Sequence, residues 1–545
     1  MTSESGSRPL PSAAEIGERV SIRSHDPEGG FRDLLGHLVT PTQVRKKNGE
    51  IVSFDPSQVV MWKVVPSKAL PTGIYLYDTM TRSQKEIVIS DGKALRMYCC
   101  GPTVYRDAHV GNLRTFLLGD LIARLIKVSG FEIHSVQNIT DVGHMVDDLR
   151  EPSEPGEAVT EEDKVLTQAS LEHKDPFTLA RSYESKFHND IARLGIQGFD
   201  IYPRASESIE MMFSLIQKLI DSDHAYVGED NSVYFAANSF ASYGALSGNK
   251  LEELVPGHRY EYVGDGAKRF HADWALWKSA GARSEMVWES PWGKGFPGWH
   301  IECSAMSLHY LQSHVDLHLG GIDLRFPHHE NERAQSNAAT LSEVTDHWVH
   351  GEHLLFEGRK MSKSAGNVVL LEDVVKAGYD PLALRLVFLE NKYRSQMDLN
   401  WEQISAAHAT LQRWRSKVQE WSKAELNNDQ GVVAGLVDEL FEAIRADLDT
   451  PKALVKLRAI ERDSTISDRT KAQVFMAVDK FFGLAIDRVE AAQQLPDGAK
   501  DLIELRAQAR MERDFERSDQ LRDQLLALKI RVIDGPDGQS WEVIP

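Results

Sequence analysis

Residues 95–136 read LRMYCCGPTVYRDAHVGNLRTFLLGDLIARLIKVSGFEIHSV, and this segment decides the fold. Its apolar start, Leu95 to Cys100, predicts a buried strand. From Gly111 to Val128 apolar residues recur on one helical face, and Phe131 to Val136 then predicts the next strand. The segment is therefore a βαβ unit. Its first turn, residues 101–112, lies where such folds bind ligands.

The chain of 545 residues is too long for a single core. An acidic, irregular stretch interrupts the α/β pattern after the first unit, and an almost wholly helical pattern follows its second half. We divide the chain into residues 1–70 (a disordered start and a small β module), 71–144 (first half of the α/β domain), 145–290 (an insertion), 291–380 (second half of the α/β domain), 381–490 (helical) and 491–545 (a small α/β tail).

In the first 70 residues apolar and polar residues alternate, which is typical of β-strands, and Asn48-Gly49 is a strong hairpin signal. The stretch is similar to the small β-barrel placed ahead of the catalytic domain in some actinobacterial acetyltransferases, but it carries no catalytic motif. A packing or docking appendage is the alternative interpretation.

The bulk composition sets wider bounds. The formal net charge of −19 argues against a nucleic-acid partner, but only weakly, because a local basic groove is enough to hold phosphates. The 3 cysteines, two of them adjacent, provide no disulfide framework and indicate a reducing compartment. No apolar run approaches the ~20 residues of a membrane span, and the N-terminus lacks a signal peptide. We therefore expect a cytoplasmic protein with no membrane partner.

Four separated residues, Cys100, Cys303, His328 and Glu332, form a set that suits zinc. His328 and Glu332 are four apart, so a helix would place them on one face. Four protein ligands usually indicate a closed, structural zinc. Because Cys100 lies at the mouth of the turn where such folds bind ligands, a metal that handles substrate stays open as the alternative.

Two further motifs indicate ATP chemistry. His109-Val110-Gly111-Asn112 lies at a predicted helix N-terminus, where free N–H groups can contact a phosphate. The two lysines of Lys360-Met361-Ser362-Lys363-Ser364 can stabilise charge on leaving pyrophosphate. In this order the motifs resemble those of class I aminoacyl-tRNA synthetases, whose first motif normally reads His-Ile-Gly-His. Asn112 departs from that pattern, although its amide can still donate a hydrogen bond.

Surrounding segments narrow the resemblance to the cysteinyl-tRNA synthetase family, from roughly Leu76 to Trp541. The segments that carry it are residues 98–105, 138–141, 298–306, 326–332, 382–385 and 447–452. The resemblance implies an α/β fold: a class I Rossmann-like catalytic domain with an inserted connective domain, a C-terminal helical bundle and a small α/β tail, preceded by the small β-barrel-like module. It also implies that residues 381–490 bind tRNA and that residues 491–545 read the anticodon.

The same resemblance implies that Cys100, Cys303, His328 and Glu332 hold one zinc ion per subunit, which receives the thiolate of the substrate. Zinc prefers sulfur to a hydroxyl, so it separates cysteine from the near-isostere serine without an editing site. Cys99 has no such role in the family pattern, and we interpret it as a buried small hydrophobe.

Other roles are implied residue by residue. The implied catalytic residues are His109, Asn112, Lys360 and Lys363. The implied substrate-binding residues are Thr140, Trp299 and His318. The implied ATP-binding residues are His109, Gly111, Asn112, Gly320, Gly321, Asp323 and Lys363. For Trp299 and His318 taken singly, a satisfied core residue is the alternative. The family usually has His-Gly-Gly-Gly where this chain has Leu319 after His318, so the backbone there approaches the nucleotide less closely.

The resemblance thus implies a monomeric ligase that activates L-cysteine with ATP and Mg²⁺ and transfers it to the 3′ end of tRNA(Cys). Trp541 would stack on an anticodon base, with a packing role as the alternative. As bare sequence, residues 499–528 predict a single final helix, on which the arginines from Arg506 to Arg522 form a solvated charged face. Two rival functions remain: the related ligase that joins cysteine to glucosaminyl-inositol, which lacks the C-terminal module, and a non-catalytic RNA-binding paralogue.

Overall fold

The computed structural model describes residues 10–11, 16, 19–26, 29–65, 68–142, 163–251, 268–312, 314–361, 367–425, 429–489, 498–528, 530–535 and 538–543. The chain divides into two compact units, residues 1–72 with 88–95 and residues 73–87 with 96–545.

The first unit is an antiparallel sheet of five strands in the order β4-β3-β2-β1-β5. The strands are β1 (Arg19–His25), β2 (Phe31–Thr40), β3 (Gln43–Arg45), β4 (Ile51–Ser53) and β5 (Val59–Val64). Alternate residues turn inward, and Val20, Ile22, Leu34, Leu38 and Val44 form the core. Gly49 takes the positive φ that the predicted Asn-Gly turn requires. The expected small β module is confirmed.

The next elements are β6 (Leu70–Asp78), β7 (Ser83–Ile89), β8 (Ala94–Cys99), α1 (Val110–Val128) and β9 (Glu132–Gln137). These are followed by α2 (Lys164–Glu172), α3 (Pro176–Arg193), α4 (Ile209–Asp221), β10 (Ala225–Val227), β11 (Val233–Phe235), β12 (Trp274–Ser279) and β13 (Gly295–Pro297). The second half of the α/β region holds α5 (Trp299–Tyr310), β14 (Leu317–Gly321), α6 (His328–Thr340), β15 (Trp348–Gly351), β16 (Leu354–Phe356), β17 (Arg359–Lys360) and α7 (Leu371–Lys376).

The helical part and the tail contain α8 (Pro381–Leu389), β18 (Met397–Leu399), α9 (Trp401–Trp421), α10 (Gln430–Arg445), α11 (Thr450–Arg462), α12 (Asp468–Phe482), α13 (Ala499–Met511), α14 (Phe515–Ala527), β19 (Ile530–Gly535) and β20 (Gly538–Val543). Short 3-10 helices lie at residues 56–58, 205–207, 237–239 and 322–325.

The central sheet has the order β15-β14-β8-β9, and β14 pairs in parallel with both β8 and β15. Helix α1 connects β8 to β9, so the predicted βαβ unit is confirmed. The two halves of the domain meet in this sheet, because β8 precedes the insertion in the chain and β14 follows it. As a result, residues far apart in sequence end at the same edge of the sheet.

A second antiparallel sheet has the order β10-β11-β12-β13, with three strands in the insertion and the last, β13, in residues 291–380. Aromatic rings pack across it, and Phe235 stacks on Trp274 with ring centroids 4.4 Å apart. Strand β13 leads directly into α5, so this sheet fixes where that helix begins.

The tail differs from the sequence prediction in one respect. A single final helix over residues 499–528 was expected, and this is wrong. Arg513 has a positive φ of 61°, which no α-helix accommodates, and it separates α13 from α14. Asp514 then caps α14, since its carboxylate accepts a hydrogen bond from Arg517 N at 3.1 Å. In the part of the chain that is described, no helix is long and apolar enough to span a membrane.

Candidate active site

The loop after β8 places Cys100 at the edge of the central sheet. Gly101 follows it, and a Cβ on Gly101 would lie 1.7 Å from the carbonyl oxygen of Asn138. The Gly101 N–H also donates to Asn138 Oδ1 at 2.8 Å. Only glycine fits so close to another backbone, so this contact fixes the position of the neighbouring Cys100.

Two helices bring the other candidate ligands to the same point. Cys303 is on α5, and His328 and Glu332 are one turn apart on α6. The Cys100 Sγ lies 3.9 Å from Cys303 Sγ and 3.4 Å from Glu332 Oε1. His328 Nε2 lies 3.1 Å from the same carboxylate oxygen. The structure therefore brings all four predicted residues together, and all four are buried.

This geometry fits a tetrahedral metal. Ligand atoms about 2.0–2.3 Å from a tetrahedral zinc lie about 3.3–3.8 Å from one another, and the observed separations are close to that range. In addition, Glu332 Oε2 is buried without a hydrogen-bond partner in the described chain, as expected of a carboxylate built to bind a cation. Two thiols, an imidazole and a carboxylate are also the donor types that zinc accepts.

A second donor set overlaps the first. Cys100, Glu332, His318 and His329 also have ligand atoms within 4.8 Å of one another. His329 Nε2 lies 3.2 Å from Cys100 Sγ, and His318 Nε2 lies 3.6 Å from it. The sequence analysis placed His318 near the metal but did not identify His329.

Each of the two adjacent histidines of α6 is held by another histidine. His328 Nδ1 lies 2.9 Å from His300 Nδ1, and His329 Nδ1 lies 2.8 Å from His350 Nε2. Because the Nδ1 atoms are engaged, the Nε2 atoms of both rings point toward the cluster. Sequence reasoning missed His300 and His350. The adjacent His328-His329 pair was the signal that could have indicated two further partners. Side chains of consecutive helical residues point about 100° apart, so each histidine needs a partner of its own.

Burial dominates the electrostatics of the cluster. It raises the pKa of Glu332 and of Cys100 well above their usual ranges and lowers the pKa of His318 well below its own. For Cys303 burial acts in the same direction as for Cys100, but the hydrogen bond from the Cys100 thiol and the nearby His328 outweigh it and lower the pKa to about 7. Cys303 is therefore the thiol that loses its proton more readily.

The predicted substrate-binding residues border this cluster. Trp299, at the start of α5, stacks on the His328 ring with centroids 4.2 Å apart. Thr140 is buried and its hydroxyl accepts a hydrogen bond from Asn138 Nδ2 at 3.0 Å. The Thr140 backbone pairs with the loop after β8, since Val104 N donates to its carbonyl oxygen at 3.1 Å. The structure thus brings these residues close to Cys100, and their roles stay predictions.

The first N–H groups of α1 all donate within the protein, mostly to His109. His109 caps the helix, and its Nδ1 accepts from the N–H groups of Gly111 and Asn112 at 3.1 and 3.2 Å. Burial, with help from the nearby Arg106 charge, lowers the pKa of His109 to about 4. The ring is therefore neutral at pH 7 and carries its proton on Nε2, which can donate to an anion. Asn112 Oδ1 accepts from His109 N at 3.3 Å, which completes a capping box.

The predicted adenosine segment lies at the end of β14. Gly320 and Gly321 are the last two strand residues, and Asp323 is in the short helix that follows. A Cβ on Gly320 would come within 2.7 Å of the His329 ring, and one on Gly321 within 2.3 Å of Asp323 Oδ1. Packing against the buried His329 ring therefore requires glycine at position 320, whether or not nucleotide binds there, whereas a turn of the Asp323 side chain would make room at position 321.

The lysine motif lies partly outside the described residues. Lys363 is among residues 362–366, so its predicted phosphate contact has no structural counterpart here. Lys360 ends β17 with an exposed side chain, and its carbonyl accepts from Asn367 Nδ2 at 3.2 Å. The continuation of this segment reaches the turn before α1, since Val110 N donates to Val369 O at 3.0 Å. Of the motif itself, Met361 lies beside the first motif, since a Cβ on Gly111 would be 3.0 Å from Met361 Cε.

In the tail, Trp541 and Arg506 differ in their exposure to solvent. Trp541 on β20 is 36% exposed, which leaves a ring face accessible. Arg506 on α13 is 1% exposed and binds both carboxylate oxygens of Asp534 at 2.9 Å. The prediction of a solvated charged helix is therefore wrong for Arg506, which holds α13 to the final hairpin.

Comparison with protein families gives three matches. The model described as "tRNA synthetases class I (C) catalytic domain" matches residues 86–154 and 156–409. The "Cysteinyl-tRNA ligase anticodon binding domain" model matches residues 492–541. The "Rv0428c N-terminal Sm-like domain" model matches residues 14–63, in the small β module.

Known proteins give the same result over nearly the whole chain. The cysteine–tRNA ligase of Thermus thermophilus is 39% identical over 491 residues, which cover 86% of this chain and 99% of the relative. The cysteine–tRNA ligase of Treponema denticola is 35% identical over 500 residues, with the same coverage. Among solved structures, Mycobacterium tuberculosis methionyl-tRNA synthetase with methionyl-adenylate has a TM-score of 0.49 at 15% identity, covering 72% of this chain and 90% of that chain.

Proposed function

The chain belongs to the cysteine–tRNA ligase family, and we propose that its buried Cys100, Cys303, His328 and Glu332 hold the zinc ion with which it selects its substrate. The enzyme activates cysteine with ATP and charges tRNA(Cys). The observation that carries the zinc proposal is the convergence of two thiols, one imidazole and one carboxylate, from three separate segments, within 4.8 Å.

Bound zinc would favour the thiolate form of a coordinated thiol and would bind sulfur in preference to a hydroxyl. The protein positions the donors for this. The Gly101–Asn138 contact fixes the loop of Cys100, and His300 fixes the ring of His328. Trp299, stacked on His328, would cover the bound amino acid and exclude water.

For the first step, we propose that the substrate carboxylate attacks the α-phosphate of Mg²⁺-ATP and releases pyrophosphate. The His109 Nε2–H would donate to the phosphates, and the positive end of the α1 dipole would favour their charge. Asp323 would accept from the ribose hydroxyls, and Lys363 would stabilise charge on the leaving group. Because the substrate supplies its own nucleophile, no general base is needed, and catalysis is positioning and charge stabilisation.

We further propose a monomer acting in the cytoplasm. All of the proposed zinc ligands come from one chain, so the site needs no second subunit. The three cysteines are free and buried, which is compatible with a reducing compartment. Light scattering coupled to size-exclusion chromatography measures the mass in solution, and a monomer should give the 61.2 kDa of one chain.

The donor set is tested with matched variants of the two adjacent histidines. His328→Gln should lose stoichiometric zinc, whereas His329→Gln should retain it. The reverse result would select the alternative set of His318 and His329. Cys303→Ser should lower cysteine-dependent ATP–pyrophosphate exchange far more than tRNA binding, and equal losses would contradict a substrate-binding zinc.

The acceptor is tested with radiolabelled cysteine, ATP and Mg²⁺. A tRNA transcript with a GCA anticodon and glucosaminyl-inositol are offered in parallel. We expect label on the tRNA alone, because the C-terminal match covers an anticodon-binding domain. Label on the sugar alone would refute this function.

A further inference from the structure

Glu302, on α5 beside Cys303, is a buried carboxyl group that the chemistry above does not use. Its side chain is 0% exposed. Neither carboxylate oxygen has a hydrogen-bond partner with full geometry among the described residues. A carboxylate in this condition is costly, because burial removes the water that would otherwise solvate it.

The charges around Glu302 make its lack of a partner more unusual. Burial is the largest influence on the Glu302 carboxyl, and its charged neighbours Cys303, Asp141 and Asp163 are all acidic. Two of them have cations of their own: Asp141 binds Arg181 at 3.1 Å, and Asp163 binds Arg283 at 3.0 Å. Across the described ranges, Glu302 lies in no ion pair. It is therefore the acid of this group that lacks a positive partner.

One neutral group faces Glu302. The Thr140 hydroxyl lies near the carboxyl, without a hydrogen bond of full geometry. Thr140 is one of the residues expected to line the amino-acid pocket. Trp299 lies three residues before Glu302 and therefore on a similar side of α5. Glu302 is thus placed between the pocket residues and the candidate zinc ligand Cys303.

We propose that Glu302 binds the α-ammonium group of the cysteine substrate and that the Thr140 hydroxyl shares this contact. This rests on the proposed function, in which the substrate thiol lies at the metal. Two carbon atoms separate the thiol from the amine, so an amino acid held through sulfur beside Cys303 presents its only cation near the adjacent residue. The carboxylate then has the counter-ion that the protein does not supply.

The proposal makes Glu302 a specificity residue. It would favour a thiol that carries an ammonium group over one that does not, whereas zinc separates thiol from hydroxyl. The two selections act on different atoms of the substrate, so a variant can lose one and keep the other.

The test uses the zinc-loaded full chain and isothermal titration with L-cysteine and with 3-mercaptopropionate, which lacks the amine. Glu302→Gln should weaken L-cysteine binding by about tenfold to a hundredfold, as for loss of a hydrogen bond to a charged group. Binding of 3-mercaptopropionate should stay within about twofold of the unchanged enzyme, because this ligand never used the carboxylate. Zinc content should be unchanged, and Glu302→Asp should recover part of the L-cysteine affinity.

One control variant and three possible outcomes show which part of the reasoning fails. Glu461→Gln removes a buried carboxylate that instead accepts from Trp414 Nε1 at 2.9 Å, and it should change neither affinity. If Glu302→Gln weakens both ligands equally or loses zinc, Glu302 supports the metal site and the proposal is overturned. Unchanged L-cysteine affinity also overturns it. If the unchanged enzyme binds neither thiol through zinc, the proposed function itself fails.

Discussion

Gly101→Ala should disrupt the metal site without touching a ligand. The added Cβ would lie 1.7 Å from Asn138 O, and contacts of a Cβ below 3.0 Å essentially do not occur in proteins. The two backbone segments must therefore separate by about 1.3 Å. Zinc–ligand distances tolerate only about 0.2 Å, so the adjacent Cys100 cannot keep its place.

We expect zinc affinity to fall by about 10–100-fold, the range seen when groups that orient ligands are removed. Cysteine-dependent ATP–pyrophosphate exchange should fall by about 100-fold, the effect of a 1 Å misplacement. Affinity is measured by competition with a chromogenic chelator, and activity is measured on the zinc-saturated enzyme.

The matched control is Gly435→Ala on α10. A Cβ there meets nothing within 4 Å, so both zinc affinity and exchange should be unchanged. Helix stability should rise by about 0.5–1 kcal/mol. If Gly101→Ala keeps the affinity and rate of the control, the Gly101–Asn138 contact does not position Cys100, and the reasoning is wrong.

Three further perturbations test other parts of the molecule. Asp120 is a buried carboxylate that accepts hydrogen bonds from the guanidinium groups of Arg385 and Arg124 at 2.7 and 2.8 Å. Asp120→Asn removes its charge and should lower the free energy of unfolding, measured in urea, by about 3–5 kcal/mol. The exposed Asp438→Asn should cost less than about 0.5 kcal/mol; similar costs would contradict the argument. His314, whose pKa the hydrogen bonds to Asp316 and Asp346 raise to about 9, contributes stability below pH 6.5 that is lost as the pH rises through about 9. His314→Gln should therefore be destabilising by about 1–2 kcal/mol at pH 6 and near neutral at pH 10, and a pH-independent effect would refute this. Trp541→Ala should raise the KM for tRNA about tenfold through lost stacking, with ATP–pyrophosphate exchange unchanged; an unaltered KM would assign the ring to packing.

The βαβ unit was predictable because its signals are local. The apolar run before Cys100 and the helical periodicity after His109 each lie within one element. The set of candidate metal ligands could also be predicted, but not from local signals. Nothing local places Cys303 beside Cys100, and that expectation came from the resemblance of the motifs to a known family.

Features that depend on tertiary contacts could not be predicted. Arg506 is buried because it pairs with Asp534, which lies on the hairpin that follows α14. The break between α13 and α14 rests on one positive φ at Arg513, a residue with no strong preference for it. His329 and His350 become partners only because the start of α6 lies beside β15, and their separation of 21 residues has no periodicity to read.

The split of the catalytic domain has a consequence for how the enzyme is made. Cys100 leaves the ribosome long before Cys303, His328 and Glu332, and the whole insertion is synthesised in between. Strand β8 must likewise wait for its parallel neighbour β14. A nascent chain that ends before residue 332 therefore exposes one thiol of the cluster without its partners. A metal bound by all four donors would therefore be captured only after both halves of the domain have been made and have packed together.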